Sequence, residues 1–238
     1  MEAAMTTNIL TVISAMAEVA TVPRQGDSSR PQKPVITISR DFGSGGDVIA
    51  TRLCQSLGLP LYDEDLLREV ANRLHDDPAI VRLLDEGFGR AKDMWLYRLF
   101  SGKDISPDSY RDTLIKVVLS LGRLGGVIVG RGAHIILAGE CALRVRIAGT
   151  PEVCAKRMAA QGHGNEAALL ATANELNHRR GKFVWEVFQS RLSDANQFDL
   201  TINTDRMDDF EDVVETIVGL AKAVHSGRVL RSDLAKIG

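Results

Sequence analysis

The sequence predicts a three-layer α/β fold, a mostly parallel sheet with helices on both of its faces. Three observations lead there. Four short aliphatic and β-branched runs, Val35–Ser39, Val127–Val129, Leu143–Ile147 and Leu200–Asn203, read as strands. Segments with helical spacing separate them, and strands joined in that way pair in parallel through crossover helices. The chain has 238 residues, 45% hydrophobic and 25% charged, enough for one sizeable core at ordinary globular composition.

Taken in order, Ile9, Ile13, Met16 and Ala20 form one apolar stripe on a helix. Thr21–Pro34 follows with three prolines, a glycine and two serines, and reads as a linker. Residues 1–33 are therefore a small tethered helix that needs a surface, either the body or a second copy of the chain. The body spans 34–225, and 226–238 is a tail. It opens with the Val35–Ser39 strand, then Gly43-Ser44-Gly45-Gly46, then a helix from Asp47 to Leu57 that Gly58 ends. Asp63 has the character of an N-cap, with Glu64 and Asp65 favouring the positive helix end. Asp77-Pro78 and Ser106-Pro107 repeat a cap-then-proline start, which places helices at about Pro78–Leu99 and Pro107–Arg123. Thr150-Pro151 opens another, and Gly162-His163-Gly164 breaks the chain before a polar helical stretch reaching Arg180. The last helix runs from about Asp209 to Val224 and turns Val213, Val214, Ile217 and Leu220 inward.

Several function classes find no support. A net charge of −2 gives no global basic excess for nucleic acid or an anionic membrane. Cys54, Cys141 and Cys154 lack CxxC spacing, and the five histidines lack HxxxH spacing, so neither disulfide framework nor zinc site is suggested. Phe42 stands where a G-x-S-x-G elbow around Ser44 needs its first glycine. The uncharged run Ala3–Ala17 is too short to span a bilayer and has no basic leader, so a soluble, cytoplasmic protein is expected.

In a parallel sheet, ligands bind beyond the carboxyl ends of the strands. Three strands here end in Ser39-Arg40-Asp41, Gly130-Arg131-Gly132 and Asn203-Thr204-Asp205. The glycine loop after the first strand opens a helix, which presents N–H groups and a positive dipole end to an anion. The full phosphate-loop pattern is G-x-x-x-x-G-K-[ST]. With Gly45 as its last glycine, Arg40 holds the first-glycine place, Gly46 the lysine place and Asp47 the hydroxyl place. On spacing alone the loop is either a phosphate site or a tight turn. Arg131 either forks onto a phosphate or pairs with a surface carboxylate. The run His178-Arg179-Arg180-Gly181-Lys182 is either a mobile basic lid or a solvated helix face.

Ile36–Gly46 (ITISRDFGSGG) resembles the opening motif of the cytidylate kinase-like family. Pro60–Leu66, Val127–Ala133 (VIVGRGA), Arg179-Arg180 and Asp199–Met207 resemble later family segments in the right order. The resemblance covers about Val35 to Val224. It implies a P-loop kinase fold with a helical lid, moving the γ-phosphoryl group of ATP, with Mg²⁺, to a cytidine monophosphate-like acceptor. Gly43, Ser44, Gly45 and Gly46 would then wrap the ATP phosphates, with Arg157 flanking the adenine end. Arg131 and Asp63 would serve the acceptor, and Arg179 and Arg180 would come from the lid. The departures are Gly46, where cytidylate kinases carry lysine, and Asp47, where this branch often carries arginine or lysine. No aspartate ends the strand before Gly130 to support Mg²⁺. For catalysis, Asp47 would have to bridge Mg²⁺ to the phosphates while Arg40 and the lid arginines supply the missing charge. The implied partners are ATP and a nucleoside monophosphate, without nucleic acid or membrane, and a homodimer through the N-terminal helix. The rival reading is a catalytically weak relative that senses nucleotide or binds a protein.

Overall fold

The computed structural model describes residues 9–21, 31–75 and 110–229. The helix expected at Pro78–Leu99, the onset of the next at Pro107, most of the linker and most of the tail lie outside the described residues. Within them, the chain runs α1 (Ile9–Thr21), β1 (Val35–Arg40), α2 (Gly46–Leu57), β2 (Leu61–Tyr62), α3 (Glu64–His75) and α4 (Tyr110–Leu124). It continues with β3 (Gly126–Val129), α5 (Ala133–Ile136), β4 (Leu143–Ala148), α6 (Pro151–Ala160), α7 (Glu166–Phe188), β5 (Leu200–Asn203) and α8 (Glu211–His225).

The five strands form one sheet in the order β2-β3-β1-β4-β5, and each pairing is parallel. β2 is the strand that sequence pattern misses. Two residues after a proline are too short to show a period, and Leu61 and Tyr62 become a strand only by pairing with Val127 and Ile128.

Alternate residues of the strands feed two cores. Ile36, Ile38, Val127, Val129, Val145 and Ile147 meet the inner faces of α2 and α8. Burial of Ile49 and Leu53 on α2 is complete, and each such side chain contributes about 1.5–3 kcal/mol. On the opposite face, Val35 and Ile128 pack against α3, α4, α5 and the end of α7. On β4, Arg144 and Arg146 take the alternate positions; each is held by an aspartate, Asp199 and Asp41, with contacts of 2.6 Å. The stripe on α1 docks on α4 and α3 of its own chain, with Val12 and Met16 buried and Ile9 and Ile13 partly so.

α7 runs eight residues beyond the expected end at Arg180, through Gly181 to Phe188. Val184 and Phe188 are buried in the second core, and that packing outweighs the helix-weakening glycine. Trp185, on the opposite side, is 49% exposed.

Candidate functional site

β1 leads on to β2 at one sheet edge, whereas β4 leads on to β5 at the other. The loops leaving the central neighbours β1 and β4 therefore part, and a crevice opens at their carboxyl ends. The glycine loop sits there. Gly45 is the N-cap of α2 with φ of 82°, and a Cβ on it would lie 2.3 Å from the Phe210 ring, so no other residue fits. The first α2 amide with a backbone acceptor is that of Ile49, on Gly45 O. The preceding N–H groups are left toward the crevice, as an anion needs.

The loop is held from below. Buried Ser44 donates its hydroxyl to Asp41 O at 2.9 Å, and Thr204 Oγ1 donates to Ser44 O at 2.8 Å. Arg157 donates to Gly43 O (2.9 Å), Thr204 O (2.6 Å) and Met207 O (3.2 Å), with its guanidinium over the Phe210 ring. In this structure, Arg157 ties the loop after β1 to the turn after β5, which fixes the loop's shape. α7 holds the loop from the other side: Phe42 N–H donates to Asn177 Oδ1 at 2.8 Å, and Arg180 donates to Arg40 O at 3.3 Å.

Beside the loop lies a cavity of about 420 Å³ between the ends of β1 and β3 and the underside of α7. That volume suits a small organic ligand. Arg40, Arg131, Arg179, Arg180 and Lys182 line it, against the two carboxylates Glu64 and Glu186. Glu64 accepts from Arg40 at 3.3 Å and pairs with Arg131 at 3.2 Å. Arg180 has no carboxylate at ion-pair distance among the described residues. Burial, and then Arg40 beside it, push its guanidinium below the usual arginine range. A partly desolvated cation with carboxylates nearby but none paired to it directly is a place for an anion.

Arg131 stands in the left-handed region at φ 50°, between Gly130 and Gly132, which are also left-handed. Such a conformation costs an arginine about 1–2 kcal/mol and aims its side chain into the cavity, 4.9 Å above the Phe183 ring. Ser39 Oγ lies 3.1 Å from Nδ1 of buried His134, which stacks on Phe198. Burial, assisted by Arg144 and Arg146, lowers the His134 pKa to about 3, so the imidazole is neutral.

Arg40, Arg131, Arg179 and Arg180 thus come together, while Gly43–Gly46 form the adjoining loop. Asp63 caps α3 through Leu66 N–H at 2.8 Å, is exposed, and does not line the cavity. Asp47, in the first turn of α2, is not engaged with the backbone amides there. Its carboxylate instead accepts from Arg40 Nε at 2.9 Å, because the arginine side chain lies within reach across the first turn of α2. As for Mg²⁺, the described residues contain no group of three or more histidine, cysteine or acidic side chains placed to hold a metal ion. Mg²⁺ commonly takes one or two carboxylates with phosphate and water, and the exposed Asp47 fits as a single donor through Oδ2. Sequence reasoning missed Glu64 as an organiser of the site, since an acidic residue in a first helical turn is already explained by the dipole. It also missed Asn177 and the Ser39–His134 pair, whose members are distant in sequence.

A five-stranded parallel sheet in this order, with a glycine loop between β1 and α2 and a basic helix across it, defines a P-loop kinase-type α/β protein. More narrowly, residues 35–206 match the model of the cytidylate kinase-like family, and the chain belongs to that family. A comparison with curated proteins gives no significant match. Among solved structures, an uncharacterized protein from Eubacterium ventriosum shares the fold at TM-score 0.63 and 21% identity, covering 81% of this chain and 99% of that one. A shikimate kinase from Bacteroides thetaiotaomicron aligns at TM-score 0.42 and 14% identity, over 81% of this chain and 98% of its own. A gluconokinase from Sinorhizobium meliloti aligns at 0.39 and 16%, over 83% and 94%. No described helix is long and apolar enough to cross a membrane.

Proposed function

We propose that the chain is an ATP-dependent phosphotransferase whose acceptor is a nucleoside monophosphate, cytidine monophosphate or a close relative. The glycine loop takes the donor phosphates, and Mg²⁺, when bound at Asp47, supplies charge neutralisation between them. The supporting observation is the composition of the cavity: five cationic side chains beside the loop and no carboxylate free to act as a base. Transfer to an alcohol calls for a residue to accept the hydroxyl proton. Glu64 is held between two arginines and Glu186 lies 3.7 Å from Lys182, so both are committed to cations. Transfer to a phosphate oxygen needs no such base. It needs positive charge to bring two anions together, which Arg131, Arg179 and Arg180 offer.

A second reading is favoured by one observation: Gly46 and Asp47 replace the lysine and hydroxyl that usually hold phosphates and metal. On that reading the chain binds nucleotide without turning it over. A coupled ADP-release assay with Mg·ATP across the nucleoside monophosphates, and with polyols and shikimate-like alcohols, decides between them. Release with a monophosphate alone is the expected result. Release only with alcohols overturns the acceptor assignment, and nucleotide binding without release establishes the sensor.

A further inference from the structure

Gly46 occupies the place where the phosphate-loop pattern calls for lysine. A Cβ there would lie 2.5 Å from Arg40 Cβ and 2.9 Å from its Cγ. These are the base of the arginine, not its flexible end, so the stem cannot swing aside. Side chains at 40 and 46 exclude one another. Arg40 ends β1 and is only 8% exposed. Its guanidinium then divides between the two halves of the site: Nε donates to Asp47 Oδ1 on the first turn of α2, and Nη1 donates to Glu64 Oε2 at the cavity. Nη1 also stands 3.1 Å from where a Gly130 side chain would begin. Nη2 has no hydrogen-bond partner among the described residues.

We propose that Arg40 is the relocated loop cation. It reaches the β- and γ-phosphates of the donor from the strand side, and Gly46 is bare so that the arm can pass. Asp47 acts as a positioning residue that fixes the guanidinium plane through Nε. The proposal deepens the kinase reading and rests on it for the identity of the donor. The chemistry suits arginine rather than lysine. An ammonium carries one small donor cluster, whereas a guanidinium binds carboxylates through Nε and Nη1 and still presents Nη2 to a phosphate. The position is equally specific, since among the described residues Arg40 is the one cation that touches both the α2 side, at Asp47, and the acceptor cavity.

The test moves the cation back. Arg40→Gly, Arg40→Gln, Gly46→Lys and the double variant Arg40→Gly/Gly46→Lys are compared with the wild type, glycine at 40 being needed because a Cβ there already meets one at 46. Binding of Mg·ATP and of inorganic tripolyphosphate is measured by calorimetry, ADP release with the best acceptor, and folding by thermal melting. Arg40→Gln keeps most of the stem and guards against a loss that is only misfolding. We expect both Arg40 variants to lose tenfold or more in tripolyphosphate and ATP affinity. Gly46→Lys alone should be destabilised by the clash. The double variant should regain at least tenfold over Arg40→Gly, because removing the Cβ at 40 as well as the arm opens the lysine place. Unchanged polyphosphate affinity in a folded Arg40→Gln overturns the proposal, as does a folded double variant no better than Arg40→Gly. If the wild type binds tripolyphosphate through Arg40 but releases no ADP with any acceptor, the cation assignment stands and the kinase reading falls. If the wild type binds no polyphosphate, both fall.

Discussion

Arg131→Ala separates a substrate-binding arginine from a structural one, and the structure sets the size of each effect. On the folding side, the variant loses the Arg131–Glu64 pair at 3.2 Å, in which both side chains are largely shielded, and the contact of its guanidinium with Phe183 at 4.9 Å. A partly buried pair and a cation–π contact are each worth about 0.5–1 kcal/mol. Glu64 is not stranded, since Arg40 still donates to it. The left-handed backbone at residue 131 strains alanine as it strains arginine, so that cost does not change. The expected loss is about 1–2 kcal/mol, a fall in melting midpoint of roughly 2–8 °C for a chain of this size. On the functional side, a charged hydrogen bond to an acceptor phosphate is worth about 1.5–3 kcal/mol, or roughly 10–150-fold in kcat/KM for the monophosphate. The assay is ADP release at saturating Mg·ATP with the monophosphate varied, beside a thermal melt. Two results refute the reasoning: an unchanged kcat/KM, or a melting loss so large that it accounts for the lost activity. Either makes Arg131 a cross-link between α3 and the β3 turn.

Three further outcomes are expected. Met16→Ala should destabilise the protein by about 2–3 kcal/mol in urea denaturation, because Met16 is buried between α1 and α4, and deletion of residues 1–33 should lower the melting temperature; an unchanged midpoint would mean the α1 contact contributes nothing. Gly45→Ala should disable ATP binding while the protein still folds, because its Cβ would enter the Phe210 ring at a residue whose φ is 82°; wild-type affinity would show that the loop does not hold the donor. His134 is neutral in the folded chain with a pKa of about 3, against 6.5 when unfolded. Its contribution is therefore fully present above pH 6.5 and falls as pH drops toward 3, by about 2 kcal/mol at pH 5. Chemical denaturation of the wild type and His134→Gln at pH 7.5 and pH 5 should show the variant losing less stability on acidification, and equal losses would contradict the burial argument.

What the sequence disclosed and what it hid divide by range. Local signals carried the elements: the Val35–Ser39 run, the Asp63 cap and the Thr150-Pro151 start each correspond to an element in the structure, since each is decided within one or two turns of chain. β2 and the last two turns of α7 were illegible because pairing and burial, not local pattern, produce them. The site divides in the same way. A glycine loop and a Gly-Arg-Gly turn are visible as strings, and a basic run is visible as charge. Their chemistry depends on which carboxylate meets which arginine, and that is set by elements far apart in sequence. Glu64 looks like a dipole residue until α3 brings it to Arg40 and Arg131. Asp47 looks like a cap, or a defect in a phosphate loop, until Arg40 is seen to lie across Gly46. Two adjacent departures from the usual loop, a missing lysine and an added carboxylate, then have one physical cause. An arginine entering from the strand needs a bare neighbour to pass and an acceptor to orient it, and Gly46-Asp47 provides both. Judged position by position, the loop has lost its chemistry. Judged as a set of three residues, Arg40, Gly46 and Asp47, it keeps an oriented cation at the edge of the cavity.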